Sequence, residues 1–447
     1  MNGNRDRFPG IGAYVIQIRR RIQSSPIGQR LVQGTFWSLT GSLSSQLLQM
    51  VAAIYVARQL GSAEFGQLGI IQSTIGMFGV FAGFGLGMTA TKYLAELRHK
   101  NPEKAGRILA LSELLALVIG SLASLVMFLI APWLARNTLA SPELGDLLQL
   151  GCLILLFSAL NGTQLGALAG FESFRIIARN NFILGIVNFF VIIMAVYSAG
   201  LRGAVVGLVI SMCLNFIFNH ISVRGEARRA GIPIVVRSCM NEIGVIFNFS
   251  LPAALSGIMV SPANWICVAM LVNQADGYHE MGIYNAANQW YAALIFLPNL
   301  LGQVLLPILS RGMGDKDIAS AKKVLSMSML INLIATVPAL VVLSIMSTWI
   351  MALYGKDFSV GGLTLIIVLI TATLTSIQNP VGQLIAASNV MWTGFIMNLG
   401  WAIVFIVMTM MMVHWGSTGI AAARAIAYLV HSCWTFVFAW RFIMSHG

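Results

Sequence analysis

The stretch Ala57-Arg58-Gln59-Leu60-Gly61-Ser62-Ala63-Glu64-Phe65-Gly66 returns in outline later in the chain: sliding the sequence against itself by 216 residues places Gly61, Glu64 and Gly66 on Gly277, Glu280 and Gly282. Apolar matches mean little in a chain that is 57% hydrophobic. A glycine, glutamate, glycine pattern in a connecting turn does not follow from composition, so the offset marks an internal repeat. The register runs back through Leu39, Gly41, Ser45, Ala53 and Val56 on Leu255, Gly257, Ser261, Ala269 and Val272. It runs forward through Ala105 on Ala321, Leu109 on Leu325, Ser112 on Ser328 and Trp133 on Trp349, and returns with Gly200 and Gly203 on Gly416 and Gly419.

What repeats is set by composition. Only 9% of the 447 residues are charged, against about a quarter in a soluble domain. A water-soluble surface cannot be made from so few charges, and the chain reads as an integral membrane protein. With about 20 apolar residues per crossing, the apolar windows divide into spans near 35–57, 67–90, 108–131, 148–169, 181–199 and 204–222. A second set falls near 246–272, 283–309, 324–346, 361–386, 392–414 and 419–440. The predicted fold is an all-α polytopic membrane protein of about 12 transmembrane helices in two pseudo-symmetric six-helix bundles. The domains are a basic cytoplasmic segment 1–34, a first bundle 35–222, a cytoplasmic linker 223–245, a second bundle 246–441 and a short cytoplasmic tail 442–447. An offset of six spans preserves orientation, so the halves are parallel repeats about an axis along the membrane normal, with a transport path at their interface.

Charge sets the topology. With the N-terminus inside, Arg58, Arg136, Arg202 and Lys356 face outward, Arg424 lies within the last span, and the other 22 of 27 Lys and Arg are cytoplasmic. This positive-inside bias puts both termini in the cytoplasm and accounts for the net charge of +12 without any nucleic-acid partner. Lys92, Arg98, Lys100, Lys104 and Arg107 could also collect a phosphorylated lipid at the inner leaflet. The five cysteines show no C-x-x-C spacing, so neither a metal site nor a disulfide framework is expected. No phosphate-loop motif occurs and little chain is left for a soluble ATPase module. No cofactor is expected.

The stretch from Arg58 to Gly66 resembles the R-x-L-G-x-x-E-[FY]-G signature of polysaccharide repeat-unit flippases, with Arg58, Gly61, Glu64 and Gly66 in the matching positions. That family belongs to the multidrug, oligosaccharidyl-lipid and polysaccharide exporter superfamily. The span count, the two halves and the glycine-led turns into spans six and twelve extend the resemblance along the chain. It implies a flippase, not an enzyme, of the bacterial inner membrane. Such a protein moves undecaprenyl-pyrophosphate-linked oligosaccharide from the cytoplasmic to the periplasmic leaflet by alternating access, for O-antigen, capsule or exopolysaccharide. Implied partners are the lipid-linked substrate, membrane lipids, a polysaccharide polymerase and a chain-length regulator. The family's central cavity is often cationic, and here the chain departs, since its spans hold very few basic residues.

Polar groups in hydrocarbon should face a bundle interior or a water-filled cavity. Asn285, Asn288 and Gln289 stand at i, i+3 and i+4 in span eight; Gln46 and Gln49, Asn161 and Gln164, and Asn379 and Gln383 form pairs in spans one, four and ten. Carboxamides offer both donors and acceptors, matching sugar hydroxyls, although they also serve as helix-to-helix glue. Arg424 could bind pyrophosphate or a charged sugar, or snorkel outward. Arg58 reads as an interfacial anchor or a partner of Glu64. Glu113, the one acid within a span, is expected near a helix N-terminus in a structural role, and His431 as a hydrogen-bonded interior residue. Tyr278, Tyr284, Trp290 and Tyr291 suit either sugar stacking or an interfacial belt, and Gly79, Gly83 and Gly87 a packing face.

Three rival readings stand beside the flippase. An ion-coupled multidrug exporter would need a buried carboxylate, which spans one, two, seven and eight lack. A peptidoglycan-precursor flippase usually carries two further spans. A membrane glycosyltransferase or polymerase would want positioned acids, and the longest outer loop, 132–147, offers only Glu143 and Asp146.

Overall fold

The computed structural model describes residues 26–235, 238–246, 250, 258–314, 318–388 and 390–446. The basic residues before position 26, the repeat positions Leu255 and Gly257, and most of the predicted start of span seven lie outside them. The helices run in the order α1 (Pro26–Gly83), α2 (Leu86–Leu97), α3 (Pro102–Asn137), α4 (Leu144–Gly151), α5 (Leu153–Gly170) and α6 (Phe174–Arg229). The second half adds α7 (Val260–Val272), α8 (Gly277–Gly314), α9 (Ile318–Ile345), α10 (Ser347–Ala352), α11 (Gly362–Ala387), α12 (Met391–Met412) and α13 (Gly416–His446). No strand occurs among the described residues. Among the described residues, seven stretches are long and apolar enough to cross a membrane, and Leu43–Gly83, Phe174–Arg229 and Trp392–Arg441 each cover two predicted spans.

Local sequence explains where the helices start and break. At the head of α3, the Asn101 side chain accepts the Lys104 N–H at 3.0 Å, Pro102 occupies the first turn and Glu103 supplies a negative charge to it. In the same helix Ala116, Gly120 and Ser124 are buried while Leu122, Leu125 and Leu129 are exposed. Small residues at four-residue spacing let neighbouring helices approach, and the large side chains face lipid. Repeat-related Gly200 and Gly416, at φ 55° and 63°, turn the chain left-handedly between spans five and six and between spans eleven and twelve.

Span two departs from the sequence reading. α1 stops at Gly83, Phe84 and Gly85 take φ of 40° and 66°, and α2 starts afresh at Leu86. Gly79, Gly83 and Gly87 therefore do not form one face. Gly87 packs tightly against the Gly162 carbonyl, whereas a side chain at Gly83 would meet open space. Four-residue glycine spacing reads alike whether a helix continues or breaks, and three glycines in five residues permit the break.

Packing follows the two halves. α1 packs on α6, and α5 on both α3 and α6; in the second half α8 and α9 pack on α11, and α12 on α13. The two are joined chiefly by α1 against α8. The largest apolar core belongs to both, taking in Ile70, Ile71 and Met127 together with Met281, Tyr354 and Phe358. Away from it, the cores around Leu94 and Leu168, and around Leu305 and Leu384, each belong to one half. The bundles are thus fused at the end bearing the Gly61-to-Gly66 turn; toward the end bearing α2 their helix cores are separate, and Ile246 and Ser250, just past the linker, pack against the first half, with Ser250 Oγ 2.5 Å from Thr89 Oγ1.

Candidate functional site

At the fused end the repeat-related turns meet. The α1 segment after Gly61 crosses α8 so closely that a β-carbon at Gly66 would overlap the Tyr278 carbonyl, and one at Gly282 the Ser62 carbonyl. Among the described residues, several hydrogen bonds join the halves around this crossing. Ser62 Oγ lies 2.6 Å from His279 Nδ1, and Arg58 Nε donates to the Leu353 carbonyl at 2.5 Å. Tyr278 OH donates to the Leu139 carbonyl at 2.6 Å and Asn273 Nδ2 to the Thr138 carbonyl at 2.7 Å. Phe65 adds edge-on packing against Phe358 at 6.0 Å between centroids. Glu280 accepts the Ser417 N–H at 2.6 Å, closing the Gly416 turn. In the first half the Glu64 carboxylate stands beside Gly200, the repeat of Gly416. The signature residues thus build the junction and its two glycine turns, and Arg58 spans the two halves instead of meeting Glu64.

Behind this junction lies a cavity of about 560 Å³, walled by α1, α5 and α6 of the first half and α8 of the second. Its size falls within the usual range of small-molecule sites. Phe65, Leu68 and Gln72 descend along α1 from the crossing, and Ser45 and Gln49 line the other α1 segment. α5 supplies Asn161, α6 supplies Asn181, Asn188, Asn215 and Asn219, and α8 supplies Asn285 and Gln289. None of the described lining residues is charged.

The carboxamides are organised by one another. Asn180 Nδ2 donates to Asn219 Oδ1 at 3.2 Å, Asn219 Nδ2 to Asn161 Oδ1 at 3.4 Å, and Asn161 Nδ2 to the Met212 carbonyl at 3.1 Å. Gln49 Nε2 donates to Ser45 Oγ at 3.2 Å and Asn215 Nδ2 to the Ser211 carbonyl at 2.7 Å. A buried amide left unpaired in an apolar medium costs several kcal/mol. These links hold the wall in place, and the remaining donors and acceptors suit a hydroxylated or acetamido ligand.

Of the ten candidate path residues, Gln49, Asn161, Asn285 and Gln289 line this cavity. The other six stand elsewhere. Asn288 Oδ1 accepts from Arg424 at 2.7 Å, and the guanidinium lies 4.2 Å from the Tyr291 ring centroid and 5.8 Å from that of Tyr428. Arg424 is therefore caged inside the second bundle, neither snorkelling nor facing the cavity. Asn379 donates to Asn299 at 3.1 Å, and both Asn379 and Gln383 lie against Gly302, joining α11 to α8. Gln164 approaches His220 Nδ1 at 3.5 Å. Gln46 sits on the face of α1 next to the cavity-lining one and is not part of the wall.

Other side chains also find partners that sequence did not reveal. Because α3 begins at Pro102, Glu113 is three turns inside it and pairs with Arg224 at 2.7 Å instead of with a helix terminus. His431 is an interior residue as expected, 3.0 Å from Gln378 Oε1. Tyr284 and Tyr291 are buried inside the protein, so they form neither an interfacial belt nor a sugar platform. Arg98 pairs with Glu172 at 2.8 Å, and Arg107 and Lys104 with Glu242 at 3.0 and 3.7 Å, so three members of the basic cluster that could have collected lipid phosphate are paired with carboxylates, in line with the topology reading of that cluster. The wall residues missed from sequence left a signal: Ser211, Asn215 and Asn219 recur at i, i+4 and i+8, and Asn181 and Asn188 at i and i+7.

Residues 31–313, more than half of the chain, match the family model described as polysaccharide biosynthesis protein. The chain belongs to that family. This member is 23% identical over 406 residues to the EPS I polysaccharide export inner membrane protein EpsE of Ralstonia nicotianae, covering 87% of this chain and 89% of EpsE. It is 25% identical over 296 residues to the lipid III flippase of Escherichia coli, covering 64% and 69% of the two chains. Its fold is shared with an inward-facing multidrug resistance MATE family transporter, at a TM-score of 0.76 and 15% identity over 92% of this chain and 98% of the other. It is shared also with the lipid II flippase MurJ, at 0.71 and 14% over 90% and 87%. The family member is a multi-pass inner-membrane transport protein of polysaccharide biosynthesis, as the signature resemblance implied.

Proposed function

We propose that this protein flips undecaprenyl-pyrophosphate-linked oligosaccharide repeat units from the cytoplasmic to the periplasmic leaflet. The observation that carries the reading is a carboxamide-lined cavity with walls from both bundles, placed directly beneath a junction built by the repeated turns. Binding between two bundles fused at one end is the geometry alternating access requires: loosening the Gly66–Gly282 crossing while the opposite ends converge would transfer exposure across the membrane. The positive-inside bias supports a periplasmic fused end and cytoplasmic termini, and with them an inward-facing state. The named relatives, an exopolysaccharide export protein and a lipid III flippase, support the same cargo class. The described cavity wall holds no carboxylate to receive an organic cation, which favours sugars over drugs.

Complementation tests this. Expressed in a strain lacking its own O-antigen, capsule or exopolysaccharide flippase, the protein restores surface polymer and depletes internal lipid-linked intermediates. A panel of such strains showing accumulated intermediates throughout, at confirmed membrane levels, and a gain in drug resistance instead, would replace the reading with the exporter. Delivery of repeat units to a polymerase and its chain-length regulator completes the proposed pathway on the periplasmic face.

A further inference from the structure

The wall of the cavity narrows what it can carry, given the flippase reading on which this inference rests. Seven carboxamides from the first half and two from the second surround it, and no described lining side chain bears a charge. Described cations on the adjoining elements stand outside the lining: Arg424 lies against Asn288 and the Tyr291 ring, Arg224 pairs with Glu113 at 2.7 Å, and exposed Arg179 donates to Asn180 Oδ1 at 3.4 Å.

We infer that the cavity receives the glycan alone and selects repeat units made of uncharged sugars, excluding uronate- or phosphate-bearing units and leaving the lipid's diphosphate outside. A carboxylate or diphosphate drawn out of water among amides and aliphatic side chains gives up its hydration, with no opposite charge in the described wall to offset the loss. A neutral hydroxyl or acetamido group exchanges its water for the amide donors and acceptors on nearly even terms. Asn285 and Gln289 on α8 face the amides of α5 and α6 across the cavity, so a neutral sugar can be held by both bundles at once.

The experiment uses the full chain in proteoliposomes and two probes, an undecaprenyl-pyrophosphate-linked trisaccharide of N-acetylglucosamine and glucose, and the same lipid with the terminal glucose replaced by glucuronate. The neutral probe should cross at least tenfold faster, and Gln49→Lys or Gln289→Lys should narrow that ratio severalfold by placing a cation in the wall. Using both variants keeps the test open if one fails to fold. Equal rates for the two probes, a faster glucuronate probe, or an unchanged ratio in both lysine variants would overturn the selectivity while leaving the flippase reading in place. No crossing by either probe above protein-free vesicles would overturn the flippase reading itself, and the inference with it.

Discussion

Glu280 holds the backbone N–H of Ser417 at 2.6 Å, so the glutamate of one repeated turn closes another repeated turn 137 residues away. Gly416 is compatible with this because it carries no side chain: at φ 63° a β-carbon would collide with the Glu280 carboxyl. The predicted consequence is non-additivity. Glu280→Ala and Gly416→Ala should each destabilise by roughly 1–3 kcal/mol, through a lost charge-assisted hydrogen bond and a strained, displaced turn. The double variant should fall well short of their sum, since either change removes the same contact. Thermal unfolding in detergent checks this; strict additivity would show that the carboxylate and the turn are independent.

Ser62 and His279 form the polar contact across the α1–α8 crossing. A Ser62→Cys, His279→Cys pair in a background without the five native cysteines should form a disulfide under mild oxidation. Cross-linked protein should lose transport, and reduction should restore it. Full transport by the cross-linked form would show that the junction stays closed throughout the cycle.

Asn288 and Gln289 are adjacent in sequence but do different work. Gln289→Leu should reduce transport several-fold with little change in thermal stability, because the side chain faces the cavity. Asn288→Leu should lower stability by roughly 2–4 kcal/mol by leaving the Arg424 guanidinium without its amide acceptor. Arg424→Lys should not rescue the cage, since an ammonium lacks the planar face that stacks on Tyr291. Measuring transport per folded molecule beside the melting midpoint separates the two roles; equal transport defects at equal stability would merge them.

This pair also marks where sequence reading stopped. The spans, the repeat and the significance of Gly61, Glu64 and Gly66 are legible because apolar length and turn chemistry are local properties. Which side of a helix meets the cavity is not local. Residues 288 and 289 differ by about 100° around the axis, and tertiary packing alone decides which direction is the wall. Gln46 and Gln49 show the same ambiguity. Asn181, Asn188, Asn215 and Asn219 were spread over two spans, so their convergence appears only once α6 folds back on itself at Gly200. The break at Phe84–Gly85 was hidden because the glycines that allow it also fit an uninterrupted packing face.

Translocation in a purified system tests the central claim most directly. Proteoliposomes carrying the protein and a labelled, neutral undecaprenyl-pyrophosphate-linked oligosaccharide should expose lipid from the inner leaflet to an external sugar-modifying enzyme far faster than protein-free vesicles. Gln289→Leu should slow that exposure. The flippase account is contradicted if a panel of such neutral lipids, delivered to well-folded protein, leaves exposure at the protein-free rate.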